Sequence, residues 1–333
     1  MKIREIAILG AGSWGTALAW LWAKNTLQIS LWGRDNDHIA RIRQTRQNSD
    51  YLPGLNLPGS VLVTSELADC AGADLIVFAT PSIALRKVAA RVRETKGNDH
   101  RVLLSCVKGI EHGTGMRMSQ ILNELFPTQT IAVLSGPNLA AEVAQHFPTA
   151  TVIGCKDAEC ATTLQSALGS TRFRVYTSQE VTSIELGGAL KNVFAIAAGI
   201  SDGLGLGDNA KAALATRSLA ELLRLGVAMG GTPQAFYGLS GVGDLIVTCY
   251  SERSRNHTVG KRLGQGESLT KITQSMKMVA EGIPTARSAF ECARQLNVET
   301  PILDQVYAVL YEQRKPTVAL EEVLNREQKA ERL

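Results

Sequence analysis

The chain has 333 residues, enough for two domains of ordinary size. At 45% hydrophobic and 20% charged residues, its composition is that of a folded globular protein and excludes a largely disordered one. The net charge of +4, from 35 Lys+Arg against 31 Asp+Glu, comes without any block of five or six like charges, so nothing points to nucleic acid.

In chain order, residues 3–9 (IREIAIL) predict a strand and 13–24 the helix that follows it. Residues 28–32 (QISLW) predict a second strand, and 35–47 a polar amphipathic helix. Residues 51–60 (YLPGLNLPGS) read as a loop, because two Leu-Pro-Gly triplets suit neither a helix nor a central strand. Further strands are predicted at 61–64, 73–79 (ADLIVFA), 101–107 (RVLLSCV), 130–135 (TIAVLS) and 150–154 (ATVIG), with helical segments between most of them. Alternating β and α elements imply parallel strands joined by right-handed crossovers, and the unbroken apolar run ADLIVFA fits a strand covered on both faces. Past residue 179 the strand signal stops. Residues 182–203 are long, apolar and rich in small residues, and 210–229 form a strong helix pattern ended by Gly230 and Gly231. Helices are also predicted at 239–249, 257–264, 283–295, 301–311 and 320–332. The expected fold is thus an α/β domain with a mostly parallel, doubly wound sheet over residues 1–180, followed by an all-α C-terminal domain over 181–333.

No fixed-period repeat appears, and no run of about 18 uncharged apolar residues, so no membrane span is expected. The basic start Met1-Lys2-Ile3-Arg4 superficially suggests a signal peptide, but Glu5 and then Gly10, Gly12 and Gly15 interrupt the apolar stretch. Cys70, Cys106, Cys155, Cys160, Cys249 and Cys292 include no CxxC pair and no zinc-like spacing. Neither a disulfide framework nor a metal site is expected, and a reducing cytoplasm fits best.

The 30 glycines exceed the roughly 23 that average usage would give, and their placement is informative. Gly10-Ala11-Gly12-Ser13-Trp14-Gly15 is a G-x-G-x-x-G between the first strand and first helix, the context a dinucleotide-binding loop requires. Gly10 permits the tight turn, Gly12 lets a pyrophosphate approach the backbone, and Gly15 lets the helix pack on the strand. The free N–H groups and dipole of the helix start favour the anion. After the second strand, where a ribose contact is expected, stands Arg34. An Arg there pairs with a 2′-phosphate and favours NADP, whereas Asp35, one residue on, suits the ribose of NAD.

Ligands of doubly wound sheets bind beyond the carboxyl ends of the strands. There the sequence offers Thr80-Pro81-Ser82, Lys108-Gly109 and Gly136-Pro137-Asn138. Gly136 and Pro137 equally suit a plain turn into a helix. In the helical half, Lys191 shares a helix face with Ile184, Gly187, Gly188, Ala195 and Ala198. Either it snorkels to solvent, or it is desolvated among small residues, which lowers its pKa and suits proton transfer. Asp244 follows Gly241-Val242-Gly243, with Thr248 one turn on, and is either a buried carboxylate with a cationic partner or a helix cap. Ser254-Arg255-Asn256 is either a plain polar loop or a guanidinium and an amide suited to a phosphate.

The stretches GAGSWGTALA, SCVKGIE, LSGPNLAAEV, LGGALKNVFAIAAGI, GVGDLIVTCYSERSRNHTVG and VAEGIPTA follow one another from Gly10 to Ala286. Together they resemble the NAD(P)-dependent sn-glycerol-3-phosphate dehydrogenases of the bacterial type, over nearly the whole chain. The resemblance implies a Rossmann domain followed by a helical domain. It also implies a homodimer that reversibly reduces dihydroxyacetone phosphate to glycerol 3-phosphate for phospholipid synthesis. On matching positions it implies Lys191 as the proton-transfer residue, with Lys108, Gly136, Asn192, Asp244, Thr248, Ser254, Arg255 and Asn256 around the substrate. Gly10, Gly12, Ser13, Trp14, Gly15, Arg34, Lys108, Ala140, Arg255, Val279 and Glu281 would face the cofactor. Related sequences often carry Ser or Thr and then Phe where Asn138 and Leu139 stand here. Two alternatives are a related dehydrogenase of another hydroxy acid and a non-catalytic NADP sensor.

Overall fold

The apolar runs of the first half become the strands of one sheet. The computed structural model describes residues 2–25, 27–95, 97, 101–327 and 330. The strands are β1 (Glu5–Leu9), β2 (Gln28–Trp32), β3 (Gln47–Asn48), β4 (Leu52–Asn56), β5 (Val61–Thr64), β6 (Leu75–Phe78), β7 (Val102–Ser105), β8 (Ile131–Ser135), β9 (Thr149–Cys155) and β10 (Phe173–Ser178). Among them run helices α1 (Ser13–Ala23), α2 (Asn36–Thr45), α3 (Ser82–Glu94), α4 (Met118–Leu125), α5 (Ala140–Ala144) and α6 (Ala158–Leu168). Among the described residues, eight strands form one sheet in the order β10-β9-β8-β7-β6-β1-β2-β5, every neighbouring pair parallel except β8 with β9. Chain order reverses at β1 and β6, the switch point at which such sheets bind ligands. The central strands β6 and β7 are buried at every residue, so the sheet is covered on both faces.

Three expectations change. Residues 51–60 are not all loop: β4 pairs antiparallel with β3 in a ribbon separate from the main sheet. Pro53 and Gly54 are exposed there, where a missing donor costs little. β10 carries no continuous apolar run, yet Phe173 and Val175 point inward and Arg174 and Tyr176 outward, the alternation of a strand at the sheet's edge. The final helix spans Pro316–Leu324 and stops well before the expected 332; residues 328, 329 and 331–333 lie outside the described residues.

The helical half comprises α7 (Val181–Gly203), α8 (Gly207–Ala228), α9 (Asp244–Tyr250), α10 (Arg255–Gly264), α11 (Leu269–Ser275), α12 (Gly282–Gln295), α13 (Pro301–Tyr311) and α14 (Pro316–Leu324). The chain divides into two compact units, Met1–Lys108 with Arg117–Ile184, and Gly109–Met116 with Glu185–Leu333. Thus the short segment 109–116 joins the helical unit, where Ile110 enters the core and His112 meets Glu291 at 3.0 Å. The first unit's core gathers Ile8, Leu18, Trp22, Leu31, Val77, Leu104 and Phe173. The second centres on α7, with Leu190, Val193, Phe194 and Ile196 almost wholly enclosed.

α7 is long and apolar enough to cross a membrane by length and composition, but the apolar window lies entirely inside the protein. Its close packing has a visible cause. A Cβ on Gly199 or Gly203 would strike the α10 backbone at His257 and Lys261, and one on Gly260 or Gly264 would strike α7 at Ile196 and Ile200. Two reciprocal small-residue ridges let the helix backbones touch, which brings the start of α10 against the middle of α7. All six cysteines are free and buried.

Candidate active site

In the first unit the glycine loop sits at the switch point. Gly10 has φ +124°, and a Cβ there would lie 2.6 Å from the Ala79 carbonyl that follows β6, so only glycine fits. Gly15 packs on the Gly10 carbonyl just as closely. Gly12 differs, since a Cβ there would meet nothing within 4 Å. Two glycines therefore build the loop, and Gly12 leaves room outside it. Gly12 caps α1, Ser13 and Trp14 open it, and the first turn contains no acidic residue to oppose an anion. The Trp14 indole donates to the Cys106 thiol; burial pushes that thiol up to about 12, against the opposing influences of this bond and of Lys108.

Arg34 and Asp35 part company. Asp35 caps α2 by accepting the His38 backbone N–H at 2.9 Å, and this bond holds its carboxyl below the ordinary range. Arg34 is exposed and has no partner among the described residues. At the neighbouring strand ends, Lys108 Nζ donates to the Gly136 carbonyl at 3.0 Å. Gly136 has φ +144°, and a Cβ would press on Thr151 of β9. Asn138 turns to the fold: its amide donates to Ala150 O at 3.0 Å and its Oδ1 accepts from the Thr151 hydroxyl at 2.9 Å. Ala140 begins α5, half-buried.

In the second unit, the Lys191 question resolves toward burial. Lys191 is 6% exposed and Asp244 1%. Lys191 Nζ donates to Asp244 Oδ1 at 2.5 Å and to Thr248 Oγ1 at 2.6 Å. The Thr248 hydroxyl in turn donates to the Asp244 carbonyl at 2.5 Å, so its lone pairs face the ammonium. The chain holds this group by an irregularity. Residues Leu239–Gly243, expected as ordinary helix, form a π-helical turn that ends at Asp244. This turn abuts α7 at Gly187, where any Cβ would strike the Ser240 carbonyl, so Asp244 enters α9 directly beside Lys191.

Beside the lysine, at the next residue of α7, an amide chain runs from α12 to α7. Gly282 N–H donates to Asn256 Oδ1 at 2.8 Å, Asn256 Nδ2 to Asn192 Oδ1 at 2.8 Å, and Asn192 Nδ2 to the Gly188 carbonyl at 3.3 Å. Ser254 caps α10 by accepting from His257 N–H. Arg255 Nη1 donates to the Val279 carbonyl at 2.9 Å, and Glu281 lies within electrostatic reach of its guanidinium. The predicted residues of the helical unit thus gather as two linked groups: Lys191, Asp244 and Thr248, and then Asn192, Ser254, Arg255, Asn256, Val279 and Glu281. One partly buried polar cluster was not singled out by motif or spacing: Asp202, Lys211 and His257. Its available signal was a carboxylate about three turns past Lys191 on a largely apolar helix. Among the described residues, no three His, Cys, Asp or Glu side chains converge as a metal site would need.

Residues 5–161 match the family model described as NAD-dependent glycerol-3-phosphate dehydrogenase N-terminus, and residues 180–321 match the corresponding C-terminus. A glycerol-3-phosphate dehydrogenase [NAD(P)+] from Syntrophotalea carbinolica is 46% identical over 331 residues, covering 98% of this chain and 99% of the relative. One from Listeria monocytogenes is 43% identical over 336 residues, covering 100% and 99%. Among solved structures, glycerol-3-phosphate dehydrogenase from Coxiella burnetii superposes with a TM-score of 0.94 at 35% identity, over 97% of this chain and 99% of that one.

Proposed function

Because the chain belongs to the NAD-dependent glycerol-3-phosphate dehydrogenase family, we propose that it interconverts dihydroxyacetone phosphate and sn-glycerol 3-phosphate with NAD(P)H. The observation that carries this reading is a buried lysine held by a carboxylate and a hydroxyl, Lys191 with Asp244 and Thr248. The first unit fits the cofactor: a tight glycine loop, open space at Gly12 and a helix start free of acidic groups suit a pyrophosphate. Gly10, Gly12, Ser13, Trp14, Gly15, Arg34 and Ala140 would hold it, with Arg255, Val279 and Glu281 of the helical unit. When bound, the nicotinamide supplies the hydride.

The remaining chemistry belongs to the protein. As the ketone is reduced, negative charge grows on its oxygen, and Lys191 as ammonium stabilises and then protonates it. Asp244 and Thr248 pin two of the ammonium's N–H bonds and so fix its direction. In the reverse direction the neutral amine accepts the alcohol proton. Arg255 and Asn256 would grip the phosphate, whose binding energy orients an otherwise small substrate. Asn192 and Ser254 would support them, and Lys108, beside Gly136, would add positive charge.

We favour NADP over NAD, because Arg34 is unengaged while Asp35 is committed to capping α2. The setting proposed is a cytoplasmic homodimer supplying phospholipid synthesis. The test is NADPH oxidation with dihydroxyacetone phosphate, repeated with NADH. Cofactor binding without turnover would instead favour a sensor, and turnover confined to non-phosphorylated hydroxy acids would favour another dehydrogenase.

A further inference from the structure

Asp202 lies on α7 about three turns from Lys191, roughly 16 Å along the same helix face. A single oxygen, Oδ2, accepts from Lys211 Nζ of α8 at 2.6 Å and from His257 Nε2 of α10 at 2.7 Å. His257 is 2% exposed and Lys211 9%, so two buried partners share one carboxylate whose own side chain is 26% exposed. Lys211 also rests over the ring of Tyr250, the last residue of α9. One side chain therefore ties α7 to α8 and α10, and through Lys211 to the end of the helix bearing Asp244 and Thr248.

His257 immediately follows Arg255 and Asn256. Their helix start is also tied to α7 at Asn256, through an uncharged hydrogen bond from its amide to Asn192 Oδ1. The buried thiol of Cys249, pushed up to about 12 by its burial, feels Lys191 and Asp244 as well as Lys211 and Asp202, so the two charged groups flank a common piece of core.

We propose that Asp202 is a positioning residue for the substrate phosphate: by clamping His257 and Lys211 it sets the register of Arg255 and Asn256 against Lys191. This rests on the function proposed above. Loss of the clamp lets the start of α10 shift on the smooth glycine ridge it shares with α7. A displacement near 1 Å at a substrate-positioning group is enough to cost roughly 100-fold.

The experiment compares the intact enzyme and its Asp202→Asn variant on dihydroxyacetone phosphate and on dihydroxyacetone, which lacks the phosphate. Wild-type protein inactive on dihydroxyacetone phosphate sinks the proposed function itself, whatever the variant does. With an active wild type, the variant is expected to lose roughly 10- to 100-fold in kcat/KM for the phosphorylated ketone, mostly through KM. Its slow turnover of dihydroxyacetone should change by less than about threefold. A general loosening of the fold would depress both substrates, and that result, like an unchanged KM, overturns the proposal. Asp202→Glu, which keeps the charge, should recover at least part of the KM. If Asp202→Asn does not fold, His257→Gln provides the same comparison, and equal losses on the two ketones reject the clamp.

Discussion

Replacing Lys191 by Met separates its two roles. Methionine keeps the volume and the apolar contacts along α7 but removes the ammonium. Without a general acid, kcat should fall by about 10²–10⁴-fold, equivalent to roughly 3–5 kcal/mol in the barrier. The same change strands Asp244, which is only 1% exposed and bonded to Lys191 at 2.5 Å. Leaving one member of a buried ion pair without its partner costs about 3–5 kcal/mol. At a few degrees per kcal/mol for a body of this size, the melting temperature should drop by roughly 10 °C. The double variant Lys191→Met with Asp244→Asn removes the stranded charge and should regain most of that loss while staying as inactive as the single variant. NADPH affinity, read by quenching of protein fluorescence, should change little, since Lys191 is not among the residues proposed to hold the cofactor. Near-normal turnover in Lys191→Met would refute the proton-transfer role. A double variant no more stable than the single would refute the claim that the pair is buried and mutually dependent.

Gly12→Ala should leave melting of the free protein unchanged, because its Cβ enters empty space, yet weaken NADPH binding at least about tenfold by blocking the pyrophosphate. Gly10→Ala, pressed on Ala79 at positive φ, should instead lower the melting temperature, and similar behaviour of the two variants would contradict the roles given to them. Arg34→Ala should weaken NADPH far more than NADH, measured as separate dissociation constants; equal losses would remove the 2′-phosphate contact. Glu221 is 3% exposed and accepts the N–H groups of Ile302 and Leu303 at the start of α13, and burial raises its carboxyl from 4.5 to about 7. The folded state then holds the proton more tightly than the unfolded one, so this group's contribution is intact below pH 4.5 and fades as pH rises through 7, by about 3 kcal/mol. Urea unfolding at pH 5 and pH 8 should show that decline in the wild type and not in Glu221→Gln; parallel pH slopes would dismiss it.

The first half was legible because its strands are short, apolar and separated by helical periods, which leaves little choice but a covered parallel sheet. What escaped has physical reasons. β10 alternates inward Phe173 and Val175 with outward polar residues, and so lacks the apolar density that marked the central strands. Pro53 and Gly54 argued against a strand by rules that hold for central positions and relax in an exposed ribbon. Nor does local periodicity distinguish the five-residue step of the π turn at Leu239–Gly243 from an ordinary helix; the wider turn depends on Gly187 and Gly241 letting backbones meet.

The site shows the same limit at finer grain. A helical pattern places Lys191 on a face of small residues, but small residues accommodate a ligand, a second backbone or a side chain bent to solvent equally well. What decides among these is Asp244, 53 positions away, and its burial is a property of the π turn rather than of any local motif. Likewise the glycine surplus divides into kinds that composition cannot separate. Gly10 and Gly15 are filled by their own fold, Gly12 faces open space, and Gly199, Gly203, Gly260 and Gly264 are filled by a neighbouring helix. Only the open kind is free to meet a ligand. The packed kind acts indirectly, by bringing Asn256 and His257 within reach of α7, and this is why residues with no chemistry of their own decide where the chemical ones stand.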